Sequence, residues 1–308
     1  MESFLAKSSS AIFRQGQFNG ARCLVRLPTR IELRIGCLSS GTGRGTFTVK
    51  NIGCWTDNHP TREKDCTMTI SQEILDRLAE FDTPTICNVI ELFDVRPRNQ
   101  GYMDHRIQCG FPELPPMVGF ATTACFRADA PPAGGDAYGS IQAQLTSFEQ
   151  LPGPPVVVFQ DQDDPAVAAV FGEVMCSTYQ AYGSVGLVTN GGGRDLDQVR
   201  ALSYPVFTGS TICSHGYCHM LHLGLPVRVG GLMVNQGDLL HGDANGVTNI
   251  PLDIVAEVAD VSSEFIAAEE IMLDYVKAAG EKTVAEFDAR RNEFMEVVGK
   301  LKERVSRG

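Results

Sequence analysis

The sequence predicts an α/β protein, on three observations. Val156–Gln160 and Val185–Thr189 are apolar runs of strand length, and the segment between them, 166–182, has helical character and is closed by Gly183. Strand, helix and strand at this spacing make a βαβ unit with a parallel pair. The second strand runs into Asn190-Gly-Gly-Gly-Arg-Asp195, the kind of loop that α/β proteins place at the carboxyl ends of parallel strands. From Pro251 to the end the apolar residues recur at helical spacing.

Taken in order, Ile74, Leu75, Leu78 and Phe81 share a helical face, with Ser71 as N-cap. Asp82-Thr83-Pro84 ends that helix and starts another through Ile86, Val89, Ile90 and Phe93, with Pro84 suited to a first turn. Residues 94–117, rich in Pro, Gly and Arg, read as a loop. Val118–Arg127 reads as a strand and Ala137–Leu151 as a helix broken at Pro152. Beyond a short helix from Asp195 to about Leu202, β segments are expected at Tyr204–Thr208, Pro226–Val229, Leu232–Val234 and Gly246–Ile250. Gly230-Gly231 and Gln236-Gly237-Asp238 supply turns.

In the C-terminal region Ile254, Val258, Val261, Phe265 and Ile266 form one face. Val284, Phe287, Phe294, Val298, Leu301 and Val305 form a short heptad-like seam, packed on the chain's own sheet or on another subunit.

Composition narrows the function classes. At 308 residues, 43% hydrophobic and 20% charged, the chain has material for a substantial core. A net charge of −11 argues against a nucleic-acid binder, which needs surplus Lys and Arg to neutralise phosphates. No apolar run has the length of a membrane span. The ten cysteines are scattered, without a CxxC pair or a secretory signal, and read as reduced thiols in the cytoplasm.

Residues 1–67 carry ten Lys/Arg against five Asp/Glu, whereas residues 68–308 carry sixteen against thirty-two. The first segment reads as a poorly ordered extension, transit-like in composition, which keeps organellar import as an alternative. Met68 opens a stretch that reads as a natural start.

The residues that carry chemistry are Glu173, twenty residues, then Arg194-Asp195. Three glycines in a row let the backbone turn tightly and expose N–H groups to an anion. No Gly-Lys-Ser/Thr follows, so this is not a P-loop, and the glycines are contiguous rather than spaced as in a dinucleotide fingerprint. Arg194 offers a planar fork for a carboxylate. Asp195, at a helix start, is either an N-cap or a metal ligand; with Glu173 on the same edge, two carboxylates suit a hard cation such as Mg2+ or Mn2+ held partly through water.

This arrangement, with Gly172 before the acid, resembles the RraA-like family, named after regulator of ribonuclease E activity A. That family includes the 4-hydroxy-4-methyl-2-oxoglutarate/4-carboxy-4-hydroxy-2-oxoadipate aldolases. Further matches are Phe81-Asp-Thr-Pro-Thr-Ile-Cys-Asn88, Pro205-Val-Phe207, Pro226-Val227, Val229-Gly-Gly231, Gly237-Asp238, Asp243-Ala-Asn-Gly246 and Pro251, so the resemblance covers residues 68–278. A C-terminal helix is then expected over residues 279–308. The resemblance implies a swivelling β/β/α domain, assembled as a homotrimer or hexamer with the active site between subunits.

It also implies metal-dependent pyruvate aldolase chemistry, with oxaloacetate decarboxylation as a companion lyase activity. Carried over, Glu173 and Asp195 hold Mg2+ or Mn2+, Arg194 binds a small 2-oxo acid, and the backbone from Gly172 through Glu173 and Val174 to Met175 cradles its carboxylate. A neighbouring subunit adds an acid, for which Glu269 and Glu270 are the candidates. His215 and His219 are either near the substrate or hydrogen-bonded histidines with no chemical role. Cys213, Cys218 and the nearby histidines also invite a structural zinc, but their spacing matches no familiar zinc module. The sequence departs from the family pattern at Asn190, Gln236 and Asn88, where Asp, Pro and an acid are frequent. The second function class is a non-catalytic regulator binding ribonuclease E. The resemblance implies that such regulators lack the acid after the arginine, and this chain has Asp195.

Overall fold

The computed structural model describes residues 70–134 and 140–308. The expected N-terminal extension, 1–67, lies outside the described residues, as do the first residues of the helix expected from Ala137.

Two helices open the described chain. α1 (Gln72–Leu78) is capped by Ser71, whose side chain accepts from the Ile74 N–H, and α2 (Thr83–Phe93) by Asp82, with Pro84 in its first turn. After β1 (Gln108–Cys109) come β2 (Met117–Arg127), α3 (Ile141–Phe148) and β3 (Pro155–Asp161). β4 (Ala169–Phe171), α4 (Glu173–Ala181), β5 (Gly186–Thr189), β6 (Gly192–Gly193) and α5 (Leu196–Ala201) follow. β7 (Val206–Thr208), β8 (Ser210–Thr211), β9 (His219–Leu221), β10 (Val227–Val229), β11 (Leu232–Val234), β12 (Leu239–Asp243) and β13 (Gly246–Ile250) complete the strands. Two long helices, α6 (Val255–Lys277) and α7 (Val284–Val305), end the chain.

The main sheet has the order β1-β7-β5-β3-β2-β12-β13, with β9 also paired to β2. Its centre is parallel: β2 with β3, β3 with β5 and β5 with β7, in register Val156↔Gly186 and Leu187↔Val206. This is the βαβ unit the sequence predicts. Both faces of β3 are covered, because successive side chains point to opposite sides. Val157 and Phe159 enter one apolar cluster with Tyr179, and Val156 and Val158 another with Val227 and Val229. Each such fully buried side chain contributes about 1.5–3 kcal/mol. A third cluster joins α1, α2 and α6 to Val118, Phe120 and Leu239.

Each of the three parallel strands β3, β5 and β7 leaves the main sheet and re-enters a small one. There β4, β6 and β8 lie side by side in the same order, again parallel. This corrects two expectations. Residues 166–172 are not helical: the run Ala166-Val-Ala-Ala-Val-Phe171 fits strand and helix equally, and its second half is the strand β4. Gly192–Gly193 is not loop but the middle strand of the small sheet, and at Gly193 there is no room for a side chain. A Cβ on Gly192 would press on Ile212, and one on Gly193 would strike the buried Phe171 ring.

The motif segments around Thr83 and Asp243 meet. Thr83 N–H donates to Asp243 Oδ2 (2.9 Å), and the Thr83 hydroxyl contacts His241 Nδ1 (2.9 Å), whose Nε2 faces Leu78 O (3.1 Å). Burial lowers the His241 pKa, so the ring is neutral and ties α2 to β12. β12 was not expected, because its His241-Gly-Asp243 end reads as polar. α7 packs on α6 and α2 rather than on the sheet. Leu301 and Val305 are buried, whereas Val284, Phe287 and Met295 are exposed.

Candidate active site

Because β4 and β6 are parallel neighbours, the residues that follow them emerge together. Gly172 and Glu173 leave β4; Arg194 and Asp195 leave β6. The carboxyl-end rule therefore holds, but at the small sheet rather than at β3 and β5. The Arg194 N–H donates to Phe171 O (3.1 Å) and fixes the two ends against each other.

Asp195 has left-handed backbone geometry (φ 55°, ψ 40°) and makes no side-chain cap on α5. Its Oδ2 instead accepts from the Glu173 N–H (3.1 Å), the first amide of α4, whose own N-cap is the side-chain-less Gly172. The choice between cap and ligand thus has a third answer: Asp195 caps a helix to which it does not belong. The positive helix end favours the carboxylate there. Arg194 Nε stands 3.6 Å from the same oxygen. A Cβ on Gly172 would lie 2.6 Å from Asp195 Oδ2 and 3.0 Å from Arg194 Nε, so glycine is what allows this approach.

Among the described residues no hydrogen bond reaches Asp195 Oδ1, and Glu173 is exposed with no partner for its carboxylate. The Val174 and Met175 N–H groups lie in the first turn of α4, where amides have no intrahelical acceptor. The arrangement offers two carboxylates, a guanidinium and open amides, an oxygen-only donor set suited to a hard cation beside an anion. Among the described residues no three His, Cys, Asp or Glu side chains gather as a complete metal shell. A cation here would therefore draw its remaining ligands from water, substrate or another chain.

Glu269 and Glu270 sit on α6. Glu269 is half-buried, its carboxyl pushed up by burial and then by the charge of Asp82, while Glu270 is exposed. His215 lies on the segment that leaves β8, which bonds to the small sheet through Ile212 N–H to Gly193 O and Ala169 N–H to Ser214 O, whereas His219 opens β9, opposite Arg127 of β2. Their Nδ1 atoms face the carbonyls of Gly216 (3.0 Å) and Tyr217 (2.9 Å).

The sequence reading missed Asp161 and the work of Asn190. The Asn190 side chain accepts from Asp161 N–H (2.8 Å) and donates to Asp161 O (2.9 Å), as a strand residue would. An Asp could not make the second bond, which explains Asn at this position. Gln236 has an equivalent reason: its Oε1 accepts from Thr123 N–H (2.9 Å) on β2. Asn88 is exposed on α2 and makes no comparable tie.

The Asp161 side chain is buried, 4% exposed. Oδ1 accepts from Asp163 N–H (3.0 Å), and Oδ2 has no partner among the described residues. Burial pushes this carboxyl up to about 6. A folded-state value above the unfolded one means that its contribution is intact below about pH 4 and lost as pH rises through 6. Asp161→Asn should therefore stabilise the protein by about 1–3 kcal/mol at pH 7.5 and hardly at all at pH 4. Thermal melts across that range check this; a difference independent of pH would refute it.

Comparison with known proteins gives concordant matches. The family model described as RraA-like, Aldolase/RraA, matches residues 83–248. A protein of Halalkalibacterium halodurans, named "Putative 4-hydroxy-4-methyl-2-oxoglutarate aldolase", is 32% identical over 120 residues, 39% of this chain and 55% of the relative. The chain thus spans about half the length of that curated relative. Among solved structures, an uncharacterized protein of Pseudomonas syringae pv. tomato superposes with TM-score 0.57 at 21% identity, covering 72% of this chain and 94% of the other. RraAS2 of Streptomyces coelicolor, described as an unusual member of the RNase ES inhibitor RraA protein family, gives 0.53 at 21% identity, covering 65% and 96%. At these identities the likeness establishes the fold.

Proposed function

The chain belongs to the RraA-like family, and on that premise we propose that it is a carbon–carbon lyase of the class II pyruvate aldolase type. In this reading it requires Mg2+ or Mn2+, cleaves a 4-hydroxy-2-oxo diacid and decarboxylates oxaloacetate. The observation that carries the reading is Asp195: one oxygen is held by the α4 amide, the other is open, and Arg194 stands alongside.

Asp195 and Glu173 would hold a divalent cation, largely through water, and it would supply Lewis-acid polarisation of the substrate's 2-oxo group. Arg194 presents its fork to the substrate carboxylate, and the Val174 and Met175 N–H groups at the α4 N-terminus donate to the same anion. The Glu173 carboxylate, through a water, takes the proton of the 4-hydroxyl as that carbon becomes a carbonyl. The electron pair of the breaking C3–C4 bond passes into the pyruvyl fragment as an enolate. The Arg194 guanidinium offsets this charge as it develops. The proton held at Glu173 returns to C3 and completes pyruvate. Oxaloacetate losing CO2 yields the same enolate, so one site serves both reactions.

Arg194 and Asp195 remain 34% and 38% exposed in one chain. In this reading an adjacent copy in a trimer or hexamer contributes Glu269 or Glu270, and His215 and His219 lie near the substrate. Purified protein with Mg2+ or Mn2+ should release pyruvate from oxaloacetate and from a 4-hydroxy-2-oxo diacid, and a chelator should stop it. Folded protein that releases none under these conditions would favour the regulatory reading, a partner of ribonuclease E.

A further inference from the structure

The first turns of α7 stand clear of the sheet. Every residue from 284 to 293 is exposed, and α7 packs only on α6 and, further along, on α2. A helix so placed draws its stability from covering an apolar face, yet Val284 is 78% exposed and Met295 51%. At 3.6 residues per turn, Val284, Asp288, Arg291 and Met295 fall within about 60° of arc, one stripe roughly 16 Å long. Phe287, also exposed, borders it. Further along the same stripe Lys302 is taken by Asp94 at the end of α2, which marks where the stripe meets the rest of the fold.

The two charges on the free part of the stripe are unmatched within the chain. Elsewhere on α7, Arg290 pairs with Glu293, Lys300 with Glu296 and Arg304 with Glu264. Asp288 and Arg291 are three residues apart, a spacing that allows pairing, but neither makes an ion pair or a side-chain hydrogen bond among the described residues. Along the stripe the order is apolar, acid, base, apolar. Laid antiparallel on a copy of itself, about a two-fold axis between Ala289 and Arg290, it sets Val284 against the partner's Met295. The same axis sets Asp288 against the partner's Arg291, and symmetry repeats both contacts. One axis position thus satisfies all four residues.

We propose that this stripe is a docking surface for a second copy of the chain, joined α7 to α7 in an antiparallel two-fold contact. The occupant is a second copy because the stripe complements itself in this register, whereas a parallel copy would set acid on acid and base on base. A two-fold contact closes on itself, so chains are added in pairs: a lone chain becomes a dimer and a trimer becomes a hexamer. In a hexamer three such contacts form together, which offsets the small area of each. The inference concerns assembly and stands independently of the lyase reading.

Light-scattering mass measurement on the full-length protein tests it. The parent should hold an even number of chains. Asp288→Arg sets like charges face to face and should weaken the contact by about tenfold or more, halving that number. Asp288→Arg combined with Arg291→Asp exchanges the two charges and should restore the parental mass. Val284→Glu, at the apolar end, should halve the mass as well. These side chains are exposed, so circular dichroism should show parental helix content in each variant. A parent with an odd number of chains, parental mass in Asp288→Arg, or no recovery in the double variant would overturn the proposal.

Discussion

Replacing Asp195 by alanine is expected to lower metal-dependent pyruvate release by about a hundred- to a thousand-fold, the range typical of removing a preorganised charge from a reacting centre. Two functions are lost together, because Oδ2 caps α4 at Glu173 N–H while Oδ1 is the open oxygen. They can be separated. Loss of the cap costs about 1 kcal/mol in a thermal or denaturant melt. Asp195→Asn keeps an acceptor for the Glu173 amide and should melt like the parent, yet it removes the charge and should be as inactive as the alanine variant. Full turnover in Asp195→Ala would sink the lyase assignment; a stable but inactive Asn variant would locate the defect in charge rather than in folding.

Gly172→Ala should produce the next largest effect, about ten- to a hundred-fold in kcat, with little change in Tm. The backbone there is extended (φ −159°, ψ −171°), a conformation open to alanine, so no backbone strain is introduced. What the new methyl meets is Asp195 Oδ2, and next Arg194 Nε and Cγ (3.1 Å), the outer parts of two side chains that can move aside. The substitution thus displaces the carboxylate and the guanidinium while sparing the core. Pyruvate release measured beside a melting curve checks it, and parental kcat would show that the displacement does not matter. By contrast, alanine at Gly193 would strike the buried Phe171 ring and should cost stability first.

The parts of the fold legible in the sequence are those where one local signal dominates. Ser71, Asp82 and Pro84 announce helix starts, and the valines of β3 announce a buried strand. Illegible were the elements whose identity comes from a partner. Gly192–Gly193 has no propensity for a strand and becomes one only between β4 and β8. Leu239–Asp243 ends in His241 and Asp243, polar residues that are buried because Thr83 satisfies them from far along the chain.

The site was legible as a set of residues and not as a geometry. Glu173, Arg194 and Asp195 stand out by type and spacing, and the structure brings the neighbourhoods of all three to adjacent strand ends. That Asp195 bonds across to the Glu173 amide could not be read locally, since an Asp before a helix ordinarily caps that helix. Asp161 had a sequence signal, an acid closing an apolar strand, but an acid there is most often solvated. Only its burial sets it apart.

The transfer of three strands from one sheet to the other is unequal in its slack. Between β7 and β8 lies only residue 209, and between β5 and β6 only residues 190–191, the latter also pinned by the Asn190 side chain and by Thr208 Oγ1 on Gly191 O (2.7 Å). Between β3 and β4 runs the longer segment 162–168. The two acids are therefore mounted differently. Asp195 follows a strand on a short, doubly fastened tether, and Glu173 follows one on a longer segment that is itself fastened through Asp163 to the Ala128 N–H and through Gln162 N–H to Phe126 O. The two ends are nevertheless coupled, by the Arg194 N–H bond to Phe171 O and the Glu173 N–H bond to Asp195 Oδ2, so whatever seats Asp195 also seats the start of α4.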